Sequence, residues 1–248
     1  MTPVLNVENI TVHFGGVVAV NGASVAVDPG ALVGFIGPNG AGKTTLMRVI
    51  TGIVKPRSGR VMLDGEDLAG LNVDGRIRKG LALAQQIVQP LRNFSLLDNV
   101  ALACGAAKTA NAAMAVFKSN RQPERARAAE LLDMVGLGSA ADAMPSTVPL
   151  GYLKRLEVAR AMALDPKLLL LDEPLAGLSQ PEAIALADLI RTLNDKGQAI
   201  LLIEHNLREV MRICDQIYVQ DNGEPLAFGP TQEVMKDSAV RTAYLGGA

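Results

Sequence analysis

Three short apolar runs, each followed at once by polar residues or glycine, dominate the pattern of hydrophobic positions along the chain. They are ALVGFI from residue 31, LLLL from residue 168 and AILLI from residue 199. Uninterrupted apolar runs of this length are typical of strands that are buried on both faces. The amphipathic segment PEAIALADLIRTLNDKG has helical spacing and separates the last two runs, so the order strand–helix–strand predicts a parallel sheet.

Further short strands are predicted near both ends of the chain. Loose alternation in VLNVENITVHF and then GGVVAVNGASVAV predicts strands before residue 28, and the turn DPG follows them. A helix is predicted over KTTLMRVITG and ends at Gly52, and KPRSGRVMLDGEDL is predicted as turn, strand and turn. Near the C-terminus, YVQDNGEPLAFGP predicts a hairpin with Asn222-Gly223 at its turn.

The middle of the chain has a different pattern. From about residue 89 to residue 163 alanine becomes frequent and strand signals almost vanish. Within this stretch PERARAAELLDMVGL has the spacing of a helix that ends at Gly136. We therefore expect a single domain over residues 1–248. Its α/β core spans about residues 1–88 and 164–248, with a β-rich N-terminal part, and a helical subdomain is inserted at about residues 89–163.

Composition narrows the class of protein. Of the 248 residues, 49% are apolar but only 3% are aromatic, which favours aliphatic α/β layers, and a net charge of −1 indicates no nucleic-acid partner. The two cysteines, Cys104 and Cys214, are too few for a disulfide framework and are expected to be buried thiols in a reducing compartment. The first residues, MTPVLNVENI, lack the basic segment and apolar run of a signal peptide, and no apolar run reaches the roughly 18 residues of a membrane span. We expect a cytoplasmic protein that reaches a membrane only through a partner.

The segment GPNGAGKT after the first buried strand fits the phosphate-binding loop pattern G-x-x-x-x-G-K-[ST]. Its successive backbone N–H groups, together with the N-terminus of the following helix, are expected to face phosphate oxygens. Lys43 is expected to reach the β- and γ-phosphates, and the Thr44 hydroxyl is expected to bind Mg²⁺. The predicted nucleotide-binding residues are Gly37, Pro38, Asn39, Gly40, Ala41, Gly42, Lys43, Thr44 and Thr45.

A second motif, LLLLDEP, places two acidic residues at the end of a buried strand. Asp172 is expected to support Mg²⁺, and Glu173 is expected to polarise the attacking water. A phosphate loop followed by this acidic pair, in this order, predicts a nucleotide triphosphatase.

At this point the sequence resembles the ATP-binding cassette (ABC) family over essentially the whole chain. The resemblance implies a P-loop NTPase core with an N-terminal antiparallel β subdomain and an inserted α-helical subdomain, and it implies ATP and Mg²⁺ as ligands. LLIEHN matches the family's switch-histidine segment, so His205 is expected to contact the γ-phosphate and Glu173. His13 lacks such a context and is expected to be structural. Phe14 stands where the family stacks an aromatic ring on adenine.

Two further segments resemble the family less closely. QQIVQPLRNFSLLDNV resembles its glutamine loop, where counting back from Asp98 favours Gln86 over Gln85 as the metal and water contact. The signature Leu-Ser-x-Gly-Gln is replaced by Val148-Pro149-Leu150-Gly151-Tyr152, which keeps only the glycine as a phosphate contact. Ser179 stands at or near an aspartate that normally links the two ATP sites of a dimer.

The resemblance also implies partners. ATP is expected to be sandwiched between this chain's phosphate loop and the signature helix of a second cassette, and the degenerate signature favours a heterodimer over a homodimer. The motion is expected to pass to multi-spanning permease subunits through the groove around residues 86–100, at the cytoplasmic face of the inner membrane. A solute-binding protein is engaged indirectly. The apolar residues Leu91, Phe94, Leu96 and Leu97 are the predicted docking surface wherever they are exposed.

Within the family, FGGVVAVNGASVAV, FIGPNGAGKTT, KRLEVARA, DEPLAGL and the ending AYLG resemble uptake systems for branched-chain and other hydrophobic amino acids. Amides, urea or carboxylates stay open as cargo. One alternative is a stand-alone cassette ATPase, but such proteins usually carry two cassettes or a long coiled coil, and 248 residues hold neither. The other is a regulatory module without hydrolysis, against which Glu173 and His205 argue.

Overall fold

The computed structural model describes residues 2–106 and 121–245, which form two β-sheets and the helices packed around them. The strands are β1 (Leu5–Phe14), β2 (Val17–Val27), β3 (Leu32–Ile36), β4 (Ser58–Leu63), β5 (Glu66–Asp67), β6 (Leu81–Ala84), β7 (Leu168–Asp172), β8 (Ala199–Ile203), β9 (Gln216–Asp221) and β10 (Glu224–Pro230). The helices are α1 (Lys43–Ile50), α2 (Val73–Arg78), α3 (Leu96–Ala106), α4 (Gln122–Met134), α5 (Leu150–Met162), α6 (Gln180–Asp195), α7 (Leu207–Ile213), α8 (Thr231–Val234) and α9 (Ser238–Leu245).

The larger sheet has six strands in the order β10-β9-β3-β8-β7-β6. The strands from β9 to β6 run parallel to their neighbours, which confirms the predicted parallel sheet, and only β10 is antiparallel. In the registers, Ile203 is paired with both Phe35 and Asp172, and Ala84 is paired with Leu171. The carboxyl ends of β3, β8, β7 and β6 are therefore nearly level, and the loops that follow them leave from one edge of the sheet.

Both faces of this sheet are buried, which explains why its strands are uninterrupted apolar runs. Leu169 and Leu171 of β7 face one hydrophobic cluster, which includes the buried side chains of α4, α5 and α6. The alternate residues, Leu168 and Leu170, face a second cluster that lies against α1 and the smaller sheet. Because side chains alternate between the two faces of a strand, each strand contributes to the hydrophobic clusters on both sides of the sheet.

The smaller sheet is antiparallel, with the order β2-β1-β4-β5. Strands β1 and β2 are joined by a tight turn, in which Gly15 has a φ of 58° and Phe14 is paired with Val17. The predicted β-rich N-terminal part is therefore confirmed as an antiparallel sheet. The predicted C-terminal hairpin is also present, since β9 and β10 pair on either side of Asn222 and Gly223, whose φ values are 46° and 81°.

Helices α3, α4 and α5 occupy the middle of the chain. The buried residues Ala128, Leu131 and Leu132 of α4 have the spacing that the sequence predicted, and the helix is followed by Gly136 with a φ of 73°. Within residues 89–106 and 121–163 the structure contains no strand. The bounds of about 89–163 for an inserted subdomain stay a prediction.

The sequence analysis did not find α2 and β6, which lie between residues 73 and 84. Strand β6 has only four residues, LALA, and an alanine-rich segment of that length carries little information about strand or helix. It forms because its main chain pairs with β7 in the assembled sheet, where β6 is the edge strand.

Candidate active site

The phosphate loop connects β3 to α1, as the sequence predicted. Gly40 and Gly42 have φ values of 84° and 94°, which glycine adopts at little cost, and Gly42 is the residue before the first turn of α1. Lys43 is buried, and its Nζ donates to the main-chain oxygens of Gly37 at 2.6 Å and Pro38 at 3.0 Å. Burial lowers the pKa of Lys43, while the nearby carboxylates of Glu173 and Asp172 oppose that shift.

A cavity of about 450 Å³ opens beside this loop. Its walls include Asn39 to Thr45 and Glu173, all from segments that the sequence analysis assigned to the nucleotide site. They also include residues that it did not assign to that site: Val17, Val18, Ala19, Asn222 and Gly223. Phe14 is paired with the wall residue Val17, and 51% of its surface is exposed. The aromatic ring is thus on the surface of the N-terminal sheet and is free to stack on a planar ligand.

The acidic pair lies at the end of β7. Asp172 is the buried last residue of the strand, and burial, followed by the repulsion of Glu173, raises its pKa to about 6. Glu173 has a φ of 44°, and its N–H donates to the main-chain oxygen of Ile203 at 2.9 Å. A left-handed conformation at a residue other than glycine costs of order 1–3 kcal/mol and is concentrated at functional sites. Here it turns the chain sharply at the residue proposed from the sequence to polarise water.

Two predicted residues approach the Glu173 carboxylate. Of the two adjacent glutamines, it is Gln86 whose Nε2 donates to Glu173 Oε2, at 2.5 Å. His205 follows β8, and its Nδ1 lies 3.6 Å from the same oxygen. The structure therefore brings Gln86, Glu173 and His205 together from three neighbouring strands. His13, by contrast, is exposed on β1 and lies 3.2 Å from Arg57 Nη1, away from this group.

Two buried charged residues beside this group were missed by the sequence analysis. Glu204, immediately before His205, is fully buried and accepts N–H groups from Leu175 at 2.8 Å and His205 at 3.1 Å. Lys154 of α5 donates to the main-chain oxygens of Gln86 and Glu173. The sequence does contain a signal for each, since Lys154 lies on the predicted signature helix and Glu204 follows four buried aliphatic residues.

The oxygen atoms at this edge fit a small hard cation. The Thr44 hydroxyl, the Asp172 carboxylate and the Gln86 amide are the donors that the sequence analysis proposed, and Thr44 and Glu173 both line the cavity. Mg²⁺ is usually held by one or two carboxylates together with substrate phosphates and water. The site therefore suits Mg²⁺ that arrives with a nucleotide.

The degenerate signature does form the start of a helix. Pro149 is the N-cap of α5 and offers no side-chain hydrogen bond to it. Gly151 is buried, and a Cβ at this position would lie 2.9 Å from Glu182 Oε1. The Glu182 carboxylate therefore packs against Gly151 and leaves no room for a side chain at this position.

Ser179 has a clear local role. It is the N-cap of α6 and forms a capping box with Glu182, whose carboxylate accepts the Ser179 N–H at 3.0 Å and the hydroxyl at 2.5 Å. These hydrogen bonds lower the pKa of Glu182. Ser179 therefore keeps the helix start that an aspartate also favours, since both residues are good N-caps.

The segment after Gln86 carries an exposed apolar surface. Ile87 is 71% exposed, Leu91 42% and Phe94 44%. We call these three residues the apolar patch. Asn99 holds the segment through hydrogen bonds to both the N–H and the carbonyl of Leu91. Leu96 is fully buried in the chain's own core and Leu97 packs against that core. The predicted docking surface was limited to exposed residues, so it does not include Leu96.

The fold and this arrangement define a cassette-type ATPase, in which a phosphate loop, an acidic pair, a glutamine and a histidine meet at one edge of a parallel sheet. Comparison with known proteins agrees. Residues 20–176 match the family model described as ABC transporter. The chain is 38% identical over 252 residues to the high-affinity branched-chain amino acid transport ATP-binding protein BraF of Pseudomonas aeruginosa, with 99% of each chain covered.

A second relative, the lipopolysaccharide export system ATP-binding protein LptB of Escherichia coli K12, is 32% identical, covering 98% of this chain and 97% of LptB. Among solved structures, the ADP conformation of MJ1267, an ATP-binding cassette of an ABC transporter, is 30% identical with a TM-score of 0.86, covering 99% of this chain and 100% of that one. The chain belongs to the ABC transporter family and is an ATPase subunit of a transporter. Among the helices that the structure describes, none has the length and hydrophobicity needed to cross a bilayer.

Proposed function

We propose that this chain is the ATP-hydrolysing subunit of an importer for branched-chain or other hydrophobic amino acids, or for related small solutes. Hydrolysis rests above all on one observation, the contact of Gln86 and His205 with the same oxygen of Glu173. The proposal for the cargo rests on the full-length similarity to BraF, which is a branched-chain amino acid transport protein.

In the proposed mechanism, the main-chain N–H groups of residues 39–45 hold the nucleotide phosphates and Lys43 neutralises part of their charge. Thr44, Asp172 and Gln86 would hold Mg²⁺, which would supply positive charge beside the transferred phosphoryl group. Glu173 accepts a hydrogen bond from the attacking water and polarises it. His205 orients Glu173 and the γ-phosphate. Phe14 stacks on the adenine ring.

This chain is proposed to pair with a different cassette subunit, so that the two form a heterodimer. Gly151 and the N-terminal end of α5 face the nucleotide bound by that partner, where the helix dipole favours an anion. Pro149 supplies neither a hydroxyl nor an N–H at this end, and the carboxylate of Glu182 lies against Gly151. These two features weaken the site that contains this chain's signature. The complete site is then the one that combines this chain's phosphate loop with the partner's signature.

The apolar patch is proposed to receive a short helix of a multi-spanning permease, which places the chain at the cytoplasmic face of the inner membrane. Exposed apolar side chains in one short segment are suited to bind the apolar face of an amphipathic helix. Gln86 is next to Ile87 in sequence, so a permease helix bound there moves the residue that contacts Glu173. A solute-binding protein acts on the permease from the other side and does not touch this chain.

A second candidate function is export, because LptB is 32% identical over nearly the whole chain. Uptake of radiolabelled leucine by vesicles or cells that contain the complete complex distinguishes the two directions. Accumulation that requires this chain supports import. A complex that hydrolyses ATP in response to a lipid and takes up no amino acid supports export. A stand-alone ATPase is indicated instead if the chain co-purifies with no multi-spanning membrane protein.

The test of catalysis is Glu173→Gln in the complete complex. A general base contributes about 10²- to 10⁴-fold to the rate, so we expect hydrolysis to fall by that factor while ATP binding is retained. The control is Glu130→Gln, which changes an exposed carboxylate of α4 that pairs with Arg127. Hydrolysis by Glu173→Gln at the wild-type rate would show that the assignment is wrong.

A further inference from the structure

Gln220 is a fully buried polar residue next to the last position of β9, and its side-chain amide donates a hydrogen bond to the phosphate loop. Its Nε2 donates to the main-chain oxygen of Ala41 at 2.6 Å, and its Oε1 accepts the Tyr218 hydroxyl at 3.4 Å. Burying an amide is costly unless it is hydrogen-bonded. The hydrogen bond to Ala41 therefore offsets part of the cost of burying the Gln220 amide. It joins residues that are 179 positions apart in the sequence.

The same Ala41 oxygen has a second donor. The N–H of Gly223, at the turn between β9 and β10, reaches it at 3.1 Å. Two donors from one side fix the direction of this carbonyl. In a trans peptide the C=O and the following N–H point in opposite directions. The N–H of Gly42 is consequently directed away from Gln220 and the hairpin turn.

Gln220 also explains two glycines of the loop. A Cβ at Gly37 would lie 2.1 Å from the main-chain oxygen of Gln220, and one at Gly42 would lie 2.5 Å from the main-chain oxygen of Ala19 and 2.7 Å from Gln220 Nε2. These distances are too short for real atoms, and the neighbours are backbone or buried side chain. The loop is therefore packed directly on Gln220, and the requirement for glycine at these two positions does not come from the nucleotide alone.

We propose that Gln220 is a positioning residue, which holds the Ala41 carbonyl so that the Gly42 N–H faces the phosphates of the bound nucleotide. This inference rests on the proposed role of residues 37–45 in nucleotide binding. Gln220 itself touches no substrate. It acts by keeping the loop in the binding conformation before the nucleotide arrives, which lowers the free energy needed to orient the Gly42 N–H.

The test uses the full chain with Gln220→Met, which keeps the size of the side chain and removes the donor. We expect ADP to bind about tenfold more weakly by calorimetry, the effect of one hydrogen bond. In NMR spectra, the shift of the Gly42 amide proton on adding ADP should be reduced in the variant. Gln220→Glu, which places a carboxylate oxygen against the Ala41 oxygen, should weaken ADP binding further.

The control for stability is Ile217→Ala, in the same strand and fully buried. It should lower the unfolding temperature and leave the affinity for ADP and the Gly42 shift unchanged. If Gln220→Met binds ADP as the wild type does, with an unchanged Gly42 shift, the inference is wrong. Should neither Gln220 variant fold, a trans-hydrogen-bond NMR coupling from Gln220 Nε2 to the Ala41 carbonyl in the wild type decides: its presence supports the inference and its absence overturns it.

The same assay includes Lys43→Ala, so that the two proposals fail in different ways. If the wild type does not bind ADP, or Lys43→Ala binds it equally well, the proposed role of the loop is wrong. If Lys43→Ala loses binding while both Gln220 variants keep it, only the role of Gln220 is wrong.

Discussion

The Nζ of Lys154 donates a 2.6 Å hydrogen bond to the main-chain oxygen of Gln86, which joins the helix that begins after Pro149 to the loop that follows β6. A longer bond of 3.4 Å links the same atom to the main-chain oxygen of Glu173. Lys154 is buried; burial lowers its pKa, and Glu204 opposes the shift most strongly. Lys154 therefore links α5 directly to the main chain of two residues, Gln86 and Glu173, whose side chains are hydrogen-bonded to each other.

The first prediction concerns Lys154. Hydrogen bonds to charged groups contribute about 1.5–3 kcal/mol, so the change Lys154→Met should lower the rate of ATP hydrolysis by the complete complex by roughly tenfold to a hundredfold. The affinity of the isolated subunit for ADP should be unaffected. Arg155→Met is the control, because Arg155 reaches the oxygen of Val135 on the other side of the helix. Equal rates for the Lys154 variant and the control would contradict the prediction.

The second prediction concerns the apolar patch. Ile87→Glu and Phe94→Glu should each weaken assembly with the permease about tenfold or more, because a charge in the centre of an apolar interface must be desolvated. Nucleotide affinity of the isolated subunit should stay at the wild-type value, since both side chains are exposed. Met211→Glu provides an exposed apolar control on α7. Co-purification with the permease and calorimetry with ADP are the two measurements, and unchanged assembly in both variants excludes this surface.

The third prediction concerns the asymmetry between the two ATP sites. Pro149→Ser restores a hydroxyl at the start of α5, and a hydrogen bond to a phosphate contributes about 1.5–3 kcal/mol, or tenfold to a hundredfold in affinity. The gain should appear at the site that contains this chain's signature. In the wild-type complex, Glu173→Gln should reduce hydrolysis more than the equivalent change in the partner cassette.

Two results would contradict this asymmetry. One is an equal loss of activity when either catalytic glutamate is changed, together with no effect of Pro149→Ser. The other is an active and stable homodimer of this chain in the native transporter.

The fourth prediction concerns the pH dependence of stability. Burial raises the pKa of Glu204 above its ordinary value of 4.5, although three backbone N–H groups oppose the shift. The folded state therefore binds this proton more tightly than the unfolded state, and the stabilisation is complete below pH 4.5 and is lost as the pH rises through the folded-state pKa. Glu204→Gln has no proton to lose, so its free energy of unfolding should fall less over that range.

Denaturant unfolding of the wild type and of Glu204→Gln from pH 4 to pH 8 measures this difference. A matched control is Glu233→Gln on the surface of α8, which should leave the pH profile of the wild type unchanged. Parallel profiles for the wild type and Glu204→Gln would show that Glu204 does not titrate in this range.

The sequence by itself determined the local structures that depend on neighbouring residues. Apolar runs predicted β3, β7 and β8, glycines and Lys43 predicted the loop between β3 and α1, and Asn222-Gly223 predicted the hairpin. These features follow from periodicity and backbone preference over fewer than about twenty residues. The positions of Asp172, Glu173 and His205 follow from the same local pattern, since each lies at the end of a buried strand or within two residues after it.

Only the tertiary structure decided which strands are neighbours and which side chains meet. The order β9-β3-β8-β7-β6 is not the order of the chain, and it brings Gln86 onto Glu173 and Gln220 onto Ala41 across 87 and 179 positions. The burial of Leu96 and the exposure of Ile87 likewise depend on packing that no local pattern contains. The physical reason is that the free energy of a buried contact depends on everything that surrounds it, whereas the preference of a short segment depends only on its own residues.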